Sequence, residues 1–164
     1  MPTEISGATG VSKVQSSAIE TGDLPTGSVV QVVASELNTS FSTNSTDLVD
    51  VTGMTVTITP QFSSSKILLS LQCGTMVNGS VTQLTIKLLR GSTIIKENSG
   101  YSYPAAGGWN AGIAGFNYLH LDSPNTTSAV TYKLQQENET SGYMHWNYGS
   151  NTKGMTVIAQ EIAG

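Results

Sequence analysis

The residues of this chain with the most chemical potential are two histidines, one cysteine and eleven acids. His120 and His145 stand twenty-five positions apart, and neither falls in a His/Cys/Asp cluster with the short spacing of a tetrahedral metal site. Cys73 is single, which excludes an internal disulfide. It keeps step with Ile67, Leu69 and Leu71, so it reads as a small buried hydrophobe rather than a nucleophile. There is no G-x-S-x-G, no Walker loop and no GxGxxG after a strand. Glycoside cleavage needs two carboxyl groups at a fixed separation, and Asp47, Asp50, Asp122, Glu137 and Glu139 are the acids a fold would have to bring together for it. With so few acids, the expectation is a non-enzyme with no catalytic, metal or cofactor site.

The aromatic residues are placed more tellingly. Tyr101, Tyr103, Trp109, Phe116, Tyr118, Tyr132, Tyr143, Trp146 and Tyr148 all lie between 101 and 148, leaving only Phe41 and Phe62 outside. Rings in Gly-rich loops offer flat apolar faces with a polar edge, suited to stacking on sugars or anchoring a protein contact. Tyr101, Tyr103, Trp109, Tyr143, Trp146 and Tyr148 are therefore the candidate receptor or tip contacts. The same rings also suit capping the open end of a β-sandwich, the reading favoured for Trp109 and Phe116.

The elements that must carry these residues are strands. In 116–134, Leu119 and Leu121 alternate with Tyr118, His120 and Asp122, and Val130, Tyr132 and Leu134 alternate with Thr131 and Lys133. Period-two alternation marks half-buried strands, and Pro124-Asn125 between them marks a turn, so this stretch reads as a hairpin. Earlier in the chain, 28–33 has Val on both faces and reads as a strand buried on two sides, and a second strand surrounds Phe41. Segments 47–51 and 54–59 follow, divided at Gly53, with Met54, Val56 and Ile58 facing a core. Lys66 to Cys73 is the most apolar strand, Asn78-Gly79 a turn, Val81 to Leu89 a strand, Arg90-Gly91-Ser92 a turn and 93–96 a short strand. Residues 98–115 and 138–154 read as long loops, and 155–162 as the last strand. Nearly ten strands without an amphipathic helix predict an all-β fold, an antiparallel β-sandwich of jelly-roll type at 28–164. By analogy, the nearest known shape is the trimeric head of tumour-necrosis-factor-like proteins, whose apolar strands line a three-fold axis.

The segment LDSPNTTSAVTYKLQ, preceded by LLRGST (88–93) and TPQFSSSKILLSL (59–71), resembles a family of bacteriophage virion proteins. Many of these are C-terminal modules of tail fibres in marine phages. The resemblance spans about residues 7–164 and rests on the order of the segments rather than on one motif. It implies a virion structural protein on tail or capsid, located in the particle and assembled in the host cytoplasm, and it brings no catalytic motif. A host-receptor (glycan)-binding tip of a tail fibre is the alternative it implies.

Composition bounds the partners. Charged residues make up 11% of the chain against the usual ~25%, and Thr, Ser, Asn, Gly and Val fill the gap. Such a surface suits close packing against identical copies, so a homotrimer is expected. A net charge of −4 and seven scattered Lys and Arg argue against a nucleic-acid partner. No apolar run reaches spanning length, and no leader is expected from Met1-Pro2-Thr3-Glu4, so no membrane insertion is expected. Asn-X-Ser/Thr at Asn38, Asn44, Asn78, Asn125 and Asn138 then follows from composition. Residues 1–27 carry sparse apolar positions that one chain cannot bury but three copies can. They are expected to form an extended anchoring arm, with Ile5, Val11, Val14, Ile19 and Leu24 buried against sister chains or another virion protein.

Overall fold

The computed structural model describes residues 24–79, 83–101, 110–140, 142–147 and 154–164, with backbone alone at 73–79, 83, 99–101 and 110–116. The described chain runs through β1 (Val29–Leu37), β2 (Phe41–Thr43), β3 (Val49–Ile58), β4 (Lys66–Gly79), β5 (Gln83–Arg90), β6 (Thr93–Tyr101), β7 (Asn110–Asp122), β8 (Val130–Asn138), β9 (Tyr143–Trp146) and β10 (Met155–Ile162). Every ladder is antiparallel. Among the described residues there is no helix.

β10 and β9 lie end to end along one side of β4, and β1 and β2 lie end to end along them in turn. β7 takes the other side of β4. With each broken pair counted as one line, the first sheet reads β1/β2, β9/β10, β4, β7, and the second reads β3, β8, β5, β6. That places the first, last, third and sixth lines in one sheet and the second, seventh, fourth and fifth in the other. It is the order of a jelly roll. The expected fold class is therefore the observed one.

The core fills the space between the sheets. Ile67, Leu69 and Leu71 of β4 and Met155, Val157 and Ala159 of β10 meet Met54, Val56 and Ile58 of β3 and Tyr132 and Leu134 of β8. Each fully buried aliphatic side chain contributes about 1.5–3 kcal/mol relative to exposure, and the alternation in β8, in β10 and in β3 from Met54 onward fixes which face turns inward. The two-residue turn Gly91-Ser92 joins β5 to β6, with Gly91 at φ 59 supplying the positive dihedral of a tight hairpin.

Several sequence expectations change. The stretch 116–134 is not a hairpin: β7 pairs with β4 and β8 pairs with β3 and β5, so 123–129 crosses from one sheet to the other. Both arms do alternate, but alternation alone does not say which sheet a strand joins. In β7 Tyr118 and Asp122 are buried while Leu119 and Leu121 are exposed, the inverse of the order of their hydropathies. The strand at 28–33 is not buried on two faces; β1 borders its sheet, and Val29 and Val32 are exposed. The two segments around Gly53 are one strand, β3, whose register slips between Asp50 and Thr55 with Gly53 at φ 88. Asn78-Gly79 ends β4 instead of turning, because β9 and β7 extend the ladder that far. The loop expected at 98–115 gives up 98–101 to β6 and 110–115 to β7, and the one expected at 138–154 holds β9.

Candidate functional site

The aromatic candidates separate first. Trp146 is fully buried on β9, its indole Nε1–H donating to Gln136 Oε1 of β8 across the sandwich. Gln136 Nε2 donates to Asn138 Oδ1 at 3.0 Å, and Asn138 Nδ2 donates to Gly142 O at 3.0 Å and Thr43 O at 3.3 Å. Trp146 is thus a core residue tied to a buried amide pair, and a receptor contact at this ring is corrected. A ring with no exposed face cannot stack on a ligand. Tyr143, three residues earlier and on the opposite face of the strand, is 50% exposed and stacks on His145 with centroids 5.8 Å apart and planes at 17°. Tyr101 ends β6 and is described in its backbone only, while Tyr103, Trp109 and Tyr148 lie outside the described residues. So do Ile5, Val11, Val14 and Ile19 of the expected arm. Leu24 is half-buried, and the turn after it joins the sandwich through Gly27 N–H to Ala163 O and Ala163 N–H to Ser28 O, both 2.8 Å.

Asp122, Glu161 and Asp50 are each held by their own bonding partners, while Glu97 and Glu137 share Lys87. Asp122 accepts two bonds from Arg90 Nη1 at 3.0 and 3.1 Å and one from the Tyr132 hydroxyl at 2.7 Å. Arg90 Nη1 also reaches Ser123 O at 3.2 Å. This cluster closes one end of the sandwich, joining β7 to β5 and β8. Burial, and then the bond to Asp122, hold the Tyr132 hydroxyl protonated well above the ordinary phenol range. Glu161 is fully buried on β10; Oε1 accepts the backbone N–H of Gln61 at 2.8 Å and Phe62 at 3.2 Å, and Oε2 accepts Gln31 Nε2 at 2.6 Å. It thereby pins the segment after Pro60 to the sheet. Asp50 lies outside the second sheet, where the bond from Lys133 Nζ holds its carboxyl below the usual range. Glu137 faces Lys87 at 3.6 Å on the same outer surface. Among the described residues no three His, Cys, Asp or Glu side chains group closely enough to hold a metal ion.

The two outer faces of the sandwich differ. Across the second sheet one row reads Asp50, Gln135, Lys87, Glu97. Its charges pair among themselves, Lys133 with Asp50 at 2.9 Å and Lys87 with Glu97 at 3.5 Å. Beside it Thr57 and Thr131 share a hydroxyl bond of 2.8 Å. Across the first sheet the corresponding rows are Val32, Gln160, Leu68, Leu121 and Ala34, Ile158, Ser70, Leu119. No charge stands in either, and Leu119 is 72% exposed. Sequence reasoning missed this surface because alternation in β7 does not say which of the two sets of side chains faces inward. The signal that could have found it is the presence of Arg90 and Tyr132 as partners able to satisfy a buried Asp122, which makes the observed parity affordable.

No protein-family model matches the chain. No curated protein matches it either. Among solved structures, it is similar to the infectious bursal disease virus VP2 subviral particle, with 14% identity, a TM-score of 0.36, and coverage of 84% of this chain. The chain spans 38% of the length of that protein, and a likeness of this size bears on neither role nor partner.

Proposed function

We propose that this chain is a non-enzymatic structural component of a bacteriophage particle, a homotrimeric fibre, spike or decoration module attached to the particle by its N-terminal arm. The observation that carries this reading is the pair of charge-free, largely apolar rows at the centre of the first sheet's outer face set against the charged, internally paired face of the second. A protein that works alone in water gains nothing from large aliphatic side chains held outward in register, whereas an assembling one buries them. The order of segments shared with phage virion proteins points the same way, and the acids support it by being engaged in holding strands and turns together. Mass spectrometry of purified particles, paired with deletion of residues 1–23, tests the reading. Leu24 to Gly27 are retained because Gly27 is bonded to Ala163. The chain is expected in the particles, and the deletion is expected to leave a folded domain that no longer joins them. Absence of the chain from particles overturns the virion role; normal incorporation of the deletion overturns the anchoring role.

One observation favours a second reading, a host-receptor (glycan)-binding tip. Tyr143, half exposed, stacks on the partly buried His145, and the remaining candidate rings, Tyr101, Tyr103, Trp109 and Tyr148, fall at 101–109 and 148 in the sequence. Repetition of a weak site on a trimer adds avidity. Replacing Tyr143 by Ala then lowers adsorption to host cells with no change in melting temperature, and unchanged adsorption removes Tyr143 from the reading.

A further inference from the structure

We propose that the outer face of the first sheet, centred on Leu119, Leu121 and Val32, is the surface through which three copies of this chain close on one another. This rests on the assembly reading above and names its contact. The two rows already described cross all four strand lines without a charge, and the nearest charges on that face, Glu36 and Lys66, lie beyond the rows at opposite ends. Leu119, Val32 and Leu121 are 72%, 55% and 50% exposed, so large aliphatic side chains stand outward on both border strands, with Leu68 and Ile158 between them beside the neutral Gln160 and Ser70.

The occupant follows from charge, size and connectivity. The chain carries a net charge of −4, so identical copies repel unless the contact excludes their charges. This face does so, while Asp50, Glu97 and Glu137 are kept on the opposite face beside Lys133 and Lys87. Its polar members, Gln160 and Ser70, each donate and accept, so they can pair with neutral polar groups of a neighbouring copy without a counter-charge. A nucleic acid or a charged partner finds no counter-charge here. The eight residues of β10 and the four strand lines cover roughly 26 by 19 Å at ordinary strand spacing. Side-chain relief brings that area toward the ~800 Å² each partner gives to a standard interface. The twenty-three residues ahead of Leu24 join the sandwich at β1, the border strand of this same sheet. Copies meeting on this face therefore present their junctions at 24–28, each tied to Ala163, in equivalent positions at the same border of the sheet.

The test uses the full chain. Light scattering at low micromolar concentration is expected to give a trimer for the unaltered protein. Leu119→Asp with Leu121→Asp places like charges against each other, and is expected to weaken association on the order of a hundredfold and give monomers. Val32→Asp on the other border does the same. Ile94→Asp, at a comparably exposed position of β6 in the second sheet (46%), leaves the trimer intact. Circular dichroism on each variant is expected to keep the β spectrum, since these side chains already face outward in the single chain. A trimer that survives both Leu119→Asp/Leu121→Asp and Val32→Asp overturns this face as the contact while leaving the assembly reading in place. A monomeric unaltered protein overturns the proposal outright, and its presence in or absence from purified particles then decides the assembly reading separately.

Discussion

Replacing Trp146 by Ala removes the largest fully buried side chain of the sandwich and one end of a hydrogen bond between the sheets. Truncating a buried Trp costs about 3–5 kcal/mol through lost transfer energy and the cavity left behind. The change also strips Gln136 Oε1 of its donor at a fully buried position, and an unsatisfied buried acceptor costs about 1–3 kcal/mol. Together these come to roughly 4–8 kcal/mol, a large part of the ~5–15 kcal/mol that holds a domain folded. For a chain of 164 residues each kcal/mol moves the melting temperature by about 2–4 °C, so a fall on the order of 10–20 °C is expected. Trp146→Phe keeps most of the ring and loses the N–H, so it should lose roughly 1–3 kcal/mol. Guanidinium denaturation of both variants, followed by circular dichroism, measures the two terms separately. If Trp146→Ala costs less than about 1 kcal/mol, the buried placement of the ring and the amide network behind it are refuted.

Other predictions follow from the same contacts. Asp122→Asn removes the charge facing Arg90 and should destabilise by roughly 2 kcal/mol, below the figure for a fully buried pair because Arg90 is about one-third exposed. The Tyr132 hydroxyl is held protonated in the fold, so its contribution to stability is complete below the ordinary phenol pKa of 10.0 and is lost as pH rises above it. Tyr132→Phe should therefore lower stability near neutral pH and flatten the alkaline limb of the stability–pH profile; an unchanged slope above pH ~10 contradicts this. Gly53→Ala forces an L side chain into φ 88 and drives its Cβ against Leu37, whose own Cβ would stand at 2.7 Å, so a loss of about 2 kcal/mol or more is expected in thermal unfolding. Glu161→Gln leaves a donor group facing donors at Gln31 or at the Gln61 and Phe62 amides, and should cost roughly 1–3 kcal/mol in the same assay.

The strands with the cleanest alternation were legible from the residues alone. Met54, Val56 and Ile58 face the core as their spacing implies, and so do Ile67, Leu69 and Leu71. The turn at Gly91-Ser92 was equally plain, because a glycine between two apolar runs has one economical use there. Partners across sheets were not legible. Nothing local to Val130–Asn138 says that it lies between β3 and β5 rather than beside β7. The parity of β7 was not legible for a related reason. Hydropathy ranks Leu119 and Leu121 above Tyr118 and Asp122, but Arg90 and Tyr132, remote in sequence, compensate Asp122 for leaving water. Trp146 was open in sequence between cap and contact, and the fold decides it through Gln136 and the buried Met144 beside it on β9. The apolar outer face of the first sheet was thus not legible in β7 alone.

The measurement that bears most directly on the account is a density map of the whole particle. The account predicts sandwiches grouped in threes, with Leu119, Leu121 and Val32 of each turned toward its sister copies and the row from Asp50 to Glu97 turned to solvent. A particle without the chain, or one in which the first sheet faces water and the charged sheet makes the contact, contradicts it.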